Sequence, residues 1–450
     1  MKYIGLDIGS TSISGLLLDG NTGKELRRKT IRNNANNKTR NAWEHLQNAE
    51  HLAGLCGELV EALAGGVQEI GGIGITGQMH GIVYVDKAGQ ACSPLITWQD
   101  ERGNLLNESG QTYCKAVKEL TGWNIATGYG LMTVYYDSVH QRIPAAAAGI
   151  CTIGDYIAMK LCGLKKPLLH VSNAAGLGFF DLEKAQYDWE AIAKSGIDTR
   201  LLPEVSCVEQ VIGTTKDHIP VIIALGDNQA SFLGAVGNRE KVLINIGTGS
   251  QVSAMIKNIT KSTKLEYRPY IDGKYLLIGA GLCGGGAYGL LEKFIHEVSD
   301  FVGAEYDECL MQKLDAAAEK VTQAHNHLQI DTRFRGTRTD PHVRGRITEI
   351  GTDNFTIGHL AYATMRGMCM ELYNFYQEFP AQAEEPDFLV GSGNALRNSA
   401  IEKKILTDVF QKDIKLPESI EEAAYGSALL AIHVVEKRSW NDLNQMIKYI

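Results

Sequence analysis

At 450 residues the chain is longer than one ordinary core supports, and it predicts two domains of comparable size. Its 44% hydrophobic and 21% charged residues exclude a disordered or fibrous protein, and a net charge of −8 without Lys/Arg clusters argues against nucleic acid and anionic membranes as partners. Nine cysteines without a C-x-x-C spacing, and no apolar run long enough for a leader or a membrane span, predict free thiols in a reducing, cytoplasmic setting.

Residues 1–18 read as a hairpin with the small polar tip Asp7-Ile8-Gly9-Ser10-Thr11-Ser12. Such a tip lets backbone N–H groups approach an anion, and an acid beside it can hold Mg²⁺ through water; the same residues also form ordinary turns. The stretch 43–64 carries Leu46, Leu52, Leu55, Leu59 and Leu63 at helical spacing and is ended by Gly65-Gly66. A strand over 70–75 then delivers Gly77-Gln78-Met79-His80-Gly81 to its end, where open α/β sheets bind ligands; Gln78 and His80 suit hydroxyl groups. The strand over 93–97 ends in Trp98, Asp100, Glu101 and Arg102. That set offers the planar polar groups and aromatic face that sugars take, and reads equally as a surface ion-pair cluster. Helices are expected over 133–140 and 157–162, a close-packed loop over 168–180, and a connection without chemistry over 203–217.

The apolar run 221–225 predicts a buried strand, and Gly226-Asp227-Asn228 sets a carboxylate at its end, as chemistry or as a turn. A second hairpin repeats the first: a strand over 242–246, the tip Gly247-Thr248-Gly249-Ser250, and a strand over 251–256. Two such hairpins predict duplicated domains, 1–237 and 238–450, whose tips can grip a polyphosphate between them. Strands at 276–278 and 387–390 run into glycine loops around Gly285 and Gly286 and around Gly393 and Asn394, with helices from 288 and 399, so the second half is expected to hold a nucleotide. No G-x-x-x-x-G-K-[ST] occurs. A last helix over 422–435, rich in Ala, Gly and Ser, admits close approach of another element or of a flat base.

Over essentially its whole length the chain resembles the FGGY carbohydrate kinases, whose α/β fold is that of actin and hexokinase: two duplicated ribonuclease H-like domains with a cleft between them. Asp7 to Ser12 is similar to that family's first phosphate motif, Gly247 to Ser250 to its second, and Gly391-Ser392-Gly393-Asn394 to its adenosine motif. Gly77 to Gly81 is similar to the sugar-binding segment of the xylulokinase branch, and Gly226-Asp227-Asn228 to the segment of the catalytic Asp. Thr97 to Asp100, Ala126 to Gly130, 158–164, Ala224 to Ser231 and 333–342 are most similar to the branch that phosphorylates sedoheptulose. The chain departs from the family pattern in lacking Lys and Trp over 130–136, and in Glu349 and Arg366.

The resemblance implies transfer of the γ-phosphoryl of ATP to a primary hydroxyl of a ketose, sedoheptulose first and xylulose second, with other ketoses behind. Asp227 would accept the proton, and Gln78, Met79, His80, Asp100, Arg102 and Asn228 would orient the sugar. Gly9, Ser10, Thr11, Gly247 and Thr248 would hold phosphates, Asp7 would fix Mg²⁺ through waters, and Gly285, Gly286, Gly393 and Asn394 would border the nucleotide. Domain closure would exclude water. Two other readings of the same fold are a chaperone or filament ATPase, which calls for an appendage, and a sugar sensor, which calls for a missing base or a DNA-binding segment; the sequence shows neither feature. It leaves the assembly state open, a homodimer included.

Overall fold

The computed structural model describes residues 1–260, 265–304, 308–337, 340, 342–380 and 386–450; of the segment 333–342 noted above, Arg338, Thr339 and Pro341 lie outside the described residues. The chain divides into two compact units. Unit 1 takes Met1–Arg239, Arg268–Tyr275 and Ser419–Lys448, and unit 2 takes Glu240–Tyr267, Leu276–Glu418 and Tyr449–Ile450. Where the sequence suggests one cut after residue 237, two later stretches return to unit 1.

Unit 1 is built on a sheet whose first strand, Lys2–Ile8, pairs antiparallel with Ser12–Asp19, and that strand antiparallel with Glu25–Arg32. On its other side Lys2–Ile8 pairs in parallel with Ile70–Gly77, which pairs in parallel with Pro220–Ile222 and Leu225–Gly226. The inner strands Lys2–Ile8, Ser12–Asp19 and Ile70–Gly77 are buried over most of their length because both faces are covered, whereas the edge strand Glu25–Arg32 is charged and largely exposed. On one face Leu59 and Leu63 of the helix Ala49–Ala64 lie over Gly15, which pairs with Leu6. The opposite face carries Gly5 and Gly74 and is covered by the helix Glu422–Glu436. A Cβ on Gly5 would stand 1.8 Å from the Ala424 carbonyl oxygen, and one on Gly74 1.8 Å from that of Ser427. The small residues of this last helix thus serve close approach to the sheet rather than a flat base.

Unit 2 repeats the order. Val242–Ile246 and Ser250–Ile256 form an antiparallel hairpin, and Tyr275–Gly281 lies beside the second arm. Phe388–Ser392 runs parallel beside the first arm and Asp413–Lys415 runs parallel beyond it. The duplicated α/β architecture is therefore present, one mixed sheet to each unit. Its core residues come largely from the sheet and from the helices Gly284–Val302, Leu310–Glu319, Ile357–Tyr376 and Ala400–Phe410. No helix among the described residues is long and apolar enough to cross a membrane, and all nine cysteines are free.

Several elements differ from expectation, each for a local reason. The helix expected from 43 starts at Ala49, because Asn48 caps it by accepting from His51 N, while Leu46 pairs with Ile96 in a short strand. The helices expected from 133 and 157 begin at Gly130 and Ile153, the second capped by Thr152. The stretch 168–180 is no loop: Leu168–His170 is a strand and Val171–Gly176 a helix. Two strands, Glu204–Ser206 and Val211–Thr214, occupy the expected connection. The run 221–225 breaks at Ile223, and Asp227 opens the helix Asp227–Val236 instead of closing a turn. The helix expected from 288 starts at Gly284.

Candidate active site

In unit 1 the carboxyl ends of three neighbouring parallel strands carry the candidate residues. Asp7 pairs with Thr76, Ile8 with Gly77, and Gly226 with Gly77, so Asp7, Gln78 and Asp227 follow from adjacent strand ends, where ligands bind in open α/β sheets. Thr76 Oγ1 donates to the Leu225 carbonyl at 2.9 Å and locks two of these ends together. Asp227 is the first residue of its helix, where exposed backbone N–H groups favour an anion. Its Oδ1 accepts from Asn228 N at 2.7 Å.

Two charges therefore share one site. Burial pushes the Asp7 carboxyl up to about 7, and the neighbouring Asp227 and Glu421 charges add to the rise. Burial raises Asp227 as well, opposed by the positive charge of Arg268 and by the backbone N–H groups of Asn228 and Met79. Arg268 belongs to the stretch that returns to unit 1, and nothing in the local sequence marks it. Asn228 presents a buried Oδ1 that has no hydrogen-bond partner, an acceptor beside the carboxylate.

The hairpin tip is held from outside. Asn33 Nδ2 donates to Gly9 O at 2.8 Å, Gln47 Nε2 to Ser10 O at 2.9 Å, and Trp98 Nε1 to Ser10 Oγ at 3.0 Å. Gln78, 2% exposed, accepts from Ser10 Oγ at 3.2 Å and donates to Gln47 Oε1 at 2.9 Å. Thr11 is exposed at the tip. Sequence reasoning missed Asn33 and Gln47; two amides on a loop carry no motif until the fold brings them to the tip.

Met79 is buried against Gly226 and Gly176. His80 adopts φ 73°, a left-handed backbone that a non-glycine side chain takes at a cost and that recurs at functional sites. Its Nδ1 lies 2.7 Å from the Gly176 carbonyl oxygen, which only accepts, so the proton sits on Nδ1. Its ring stacks on Tyr129 with centroids 4.3 Å apart. Tyr129 lies in the segment Ala126 to Gly130 that carries part of the resemblance, which assigns the tyrosine no role.

Asp100 and Arg102 are buried in contacts with one another and with Asp137. Arg102, 4% exposed, donates from Nε and Nη2 to Asp100 at 2.7 and 3.1 Å and from Nη1 to Asp137 at 2.5 Å. Asp100, wholly buried, also accepts from Arg102 N and His45 N, so each of its oxygens takes two donors. A carboxylate that takes four donors and a guanidinium held between two acids shape this loop.

In unit 2 the candidates again gather at the carboxyl ends of parallel strands, here Val242–Ile246 and Phe388–Ser392. Gly285 N and Gly286 N donate to the carbonyls of Gly247 and Thr248 at 2.8 and 2.9 Å, which seats the tip on the helix Gly284–Val302. A Cβ on Gly285 would stand 2.6 Å from Gly247 O, so that glycine serves the seating. Gly247 is different: a Cβ there meets nothing nearer than 3.8 Å, leaving its face open. Gly393, at φ 95°, opens the helix Asn394–Asn398 against Ile246, and Asn394 is exposed.

A sedoheptulokinase of Mus musculus is 28% identical over 475 aligned positions, covering 95% of this chain and 97% of that protein. The crystal structure of xylulose kinase from Rhodospirillum rubrum superposes with a TM-score of 0.85 at 21% identity, over 100% of this chain and 93% of that one. The structure of Plasmodium falciparum glycerol kinase with ADP gives 0.81 at 18% identity, over 99% and 92%. The N-terminal domain model of the FGGY carbohydrate kinases matches residues 2–234 and the C-terminal domain model residues 242–435. The chain therefore belongs to the FGGY family of carbohydrate kinases and is a sugar kinase with ATP as donor.

Proposed function

We propose that the chain phosphorylates a primary hydroxyl of a ketose, sedoheptulose by preference, with Asp227 as the base. The observation that carries the reading is the placement of Asp227: a carboxylate on a helix N-terminus, at a strand end, beside the unpartnered Oδ1 of Asn228. Phosphoryl transfer asks mainly for positioning and charge stabilisation, and a base within hydrogen-bond reach of the hydroxyl completes it. Asn228 would take the neighbouring hydroxyl, with Met79, His80 and Tyr129 as the wall. The choice of sedoheptulose is supported by the near full-length similarity to a sedoheptulokinase; xylulose is the second choice.

Mg²⁺ fits at Asp7, whose half-buried carboxyl stands near two like charges that a cation would offset. Among the described residues no three His, Cys, Asp or Glu side chains form a cage, which suits an ion that keeps its waters and takes one carboxylate and phosphate oxygens. When bound, the ion would neutralise charge developing on the transferred group. The open face of Gly247 fits close approach of a phosphate, and Thr248, Gly393 and Asn394 would complete the nucleotide contacts. Gly9, Ser10 and Thr11 would serve the phosphate from unit 1, and Gln78 would hold their tip.

ADP release with Mg-ATP and a panel of sedoheptulose, D-xylulose, D-ribulose, L-ribulose, fructose and glycerol tests the reading. Turnover with sedoheptulose above the rest is expected; a preference for another sugar overturns the choice of substrate. Asp227→Ala is expected to abolish transfer and keep ATP binding, and a variant with near-normal turnover would remove Asp227 as the base.

A further inference from the structure

The helix Val171–Gly176 grips the chain just before Asp227, and its cap is unusual. N-cap positions favour Ser, Thr, Asp and Asn. Here the cap is His170, wholly buried, whose Nδ1 accepts from Ser172 N at 3.2 Å. An Nδ1 that accepts a backbone N–H carries no proton, so the neutral ring's proton is on Nε2. That atom lies 3.3 Å from Glu209 Oε1, off the line of a direct hydrogen bond. Glu209 Oε1 is itself held by Asp272 N at 3.1 Å.

The direction of the remaining contacts follows. Ser172 Oγ lies 2.9 Å from the unprotonated Nδ1 and so donates to it. The lone pairs of the hydroxyl are left for Gly226 N, 3.2 Å away, and Gly226 caps the helix that Asp227 opens. Asn173 Nδ2 donates to the Ala224 carbonyl at 3.1 Å, so the short helix holds the chain at two points immediately before Asp227. His170 and Ser172 are wholly buried and touch no open face of the site.

We propose that His170 and Ser172 are positioning residues for Asp227: the Ser172 hydroxyl, held against His170 Nδ1, accepts from Gly226 N and so fixes the residue before the base. The inference rests on Asp227 being the base. Their effect is on the placement of its carboxylate, and misplacing a reacting group by about 1 Å costs on the order of a hundredfold in rate.

Ser172→Ala, Ser172→Thr and His170→Asn test this, assayed with sedoheptulose and Mg-ATP, or with whichever ketose the panel selects, beside thermal unfolding and ATP affinity. Ser172→Ala is expected to lower kcat by roughly 10- to 100-fold with both KM values near the parent's, and Ser172→Thr to restore most of the rate. Parental kcat in Ser172→Ala overturns the proposal; so does a joint fall of kcat, affinity and unfolding midpoint that Thr does not rescue. Should Ser172→Ala fail to fold, His170→Asn decides, because an Asn side chain can still cap Ser172 N while the ring that holds the Ser172 hydroxyl is gone: lowered kcat at constant KM supports the proposal, and parental kcat overturns it. Asp227→Ala separates the two levels, since its near-normal turnover would remove the base itself, whereas a silent Ser172→Ala leaves that reading standing.

Discussion

Arg102 holds two buried carboxylates at once, Asp100 and Asp137. Removing it strands Asp100 and Asp137 away from water, and breaking such a buried pair costs about 3–5 kcal/mol. Arg102→Met should lower denaturant stability by that amount, and Arg102→Lys should recover only part, because an ammonium lacks the fork that spans Asp100. Asp7 gives a pH dependence of opposite origin. Its folded carboxyl is raised from 3.8 to about 7, so the folded state binds the extra proton and stability falls as pH rises through that interval. Asp7→Asn should therefore unfold at a higher temperature than the parent at pH 8, with the difference fading toward pH 4. Mg²⁺ at pH 8 should raise the parental midpoint and leave that of the variant unmoved.

At the scale of elements, the glycines sort into two kinds that thermal unfolding separates. Gly74→Ala would drive a methyl into the Ser427 carbonyl, and overpacking of this kind costs about 1–3 kcal/mol or more; a large drop in unfolding temperature is expected. Gly247→Ala meets open space, so its stability should match the parent's while the KM for ATP rises. Both glycines stand in the sequence as the same letter. The hairpins at 1–18 and 242–256 were legible because strand, small tip and returning strand are local patterns. The helix Val171–Gly176 was not, since Ser, Asn, Ala and Gly read as loop until a buried histidine caps them. Asp227 was legible as a carboxylate at a strand end, but its place on a helix N-terminus depends on Gly226 being pinned by Ser172, a partner 54 positions away in the chain.

For the whole molecule, duplication could be read from two hairpins, and the return of later stretches to unit 1 could not. A small-residue helix fits many neighbours, and only the sheet glycines decide which one it meets. Arg268 escaped notice for the same reason: its charge matters because residues 268–275 fold into unit 1. A chain ending at residue 418 would lack the helix over Gly5 and Gly74. It should lose the cooperative unfolding of unit 1 in calorimetry and aggregate through the uncovered sheet.

The covering of that sheet also sets an order in time. Chains emerge from the ribosome at roughly 5–20 residues per second, and domains ordinarily fold from the N-terminus as they appear. Here the strand Lys2–Ile8 waits for the helix Glu422–Glu436, tens of seconds later at such rates. Nearly all of unit 2 has emerged before that helix exists. The unit whose strands emerge ahead of the other is thus closed only after nearly all of the other has emerged, and its apolar strands need shelter during synthesis.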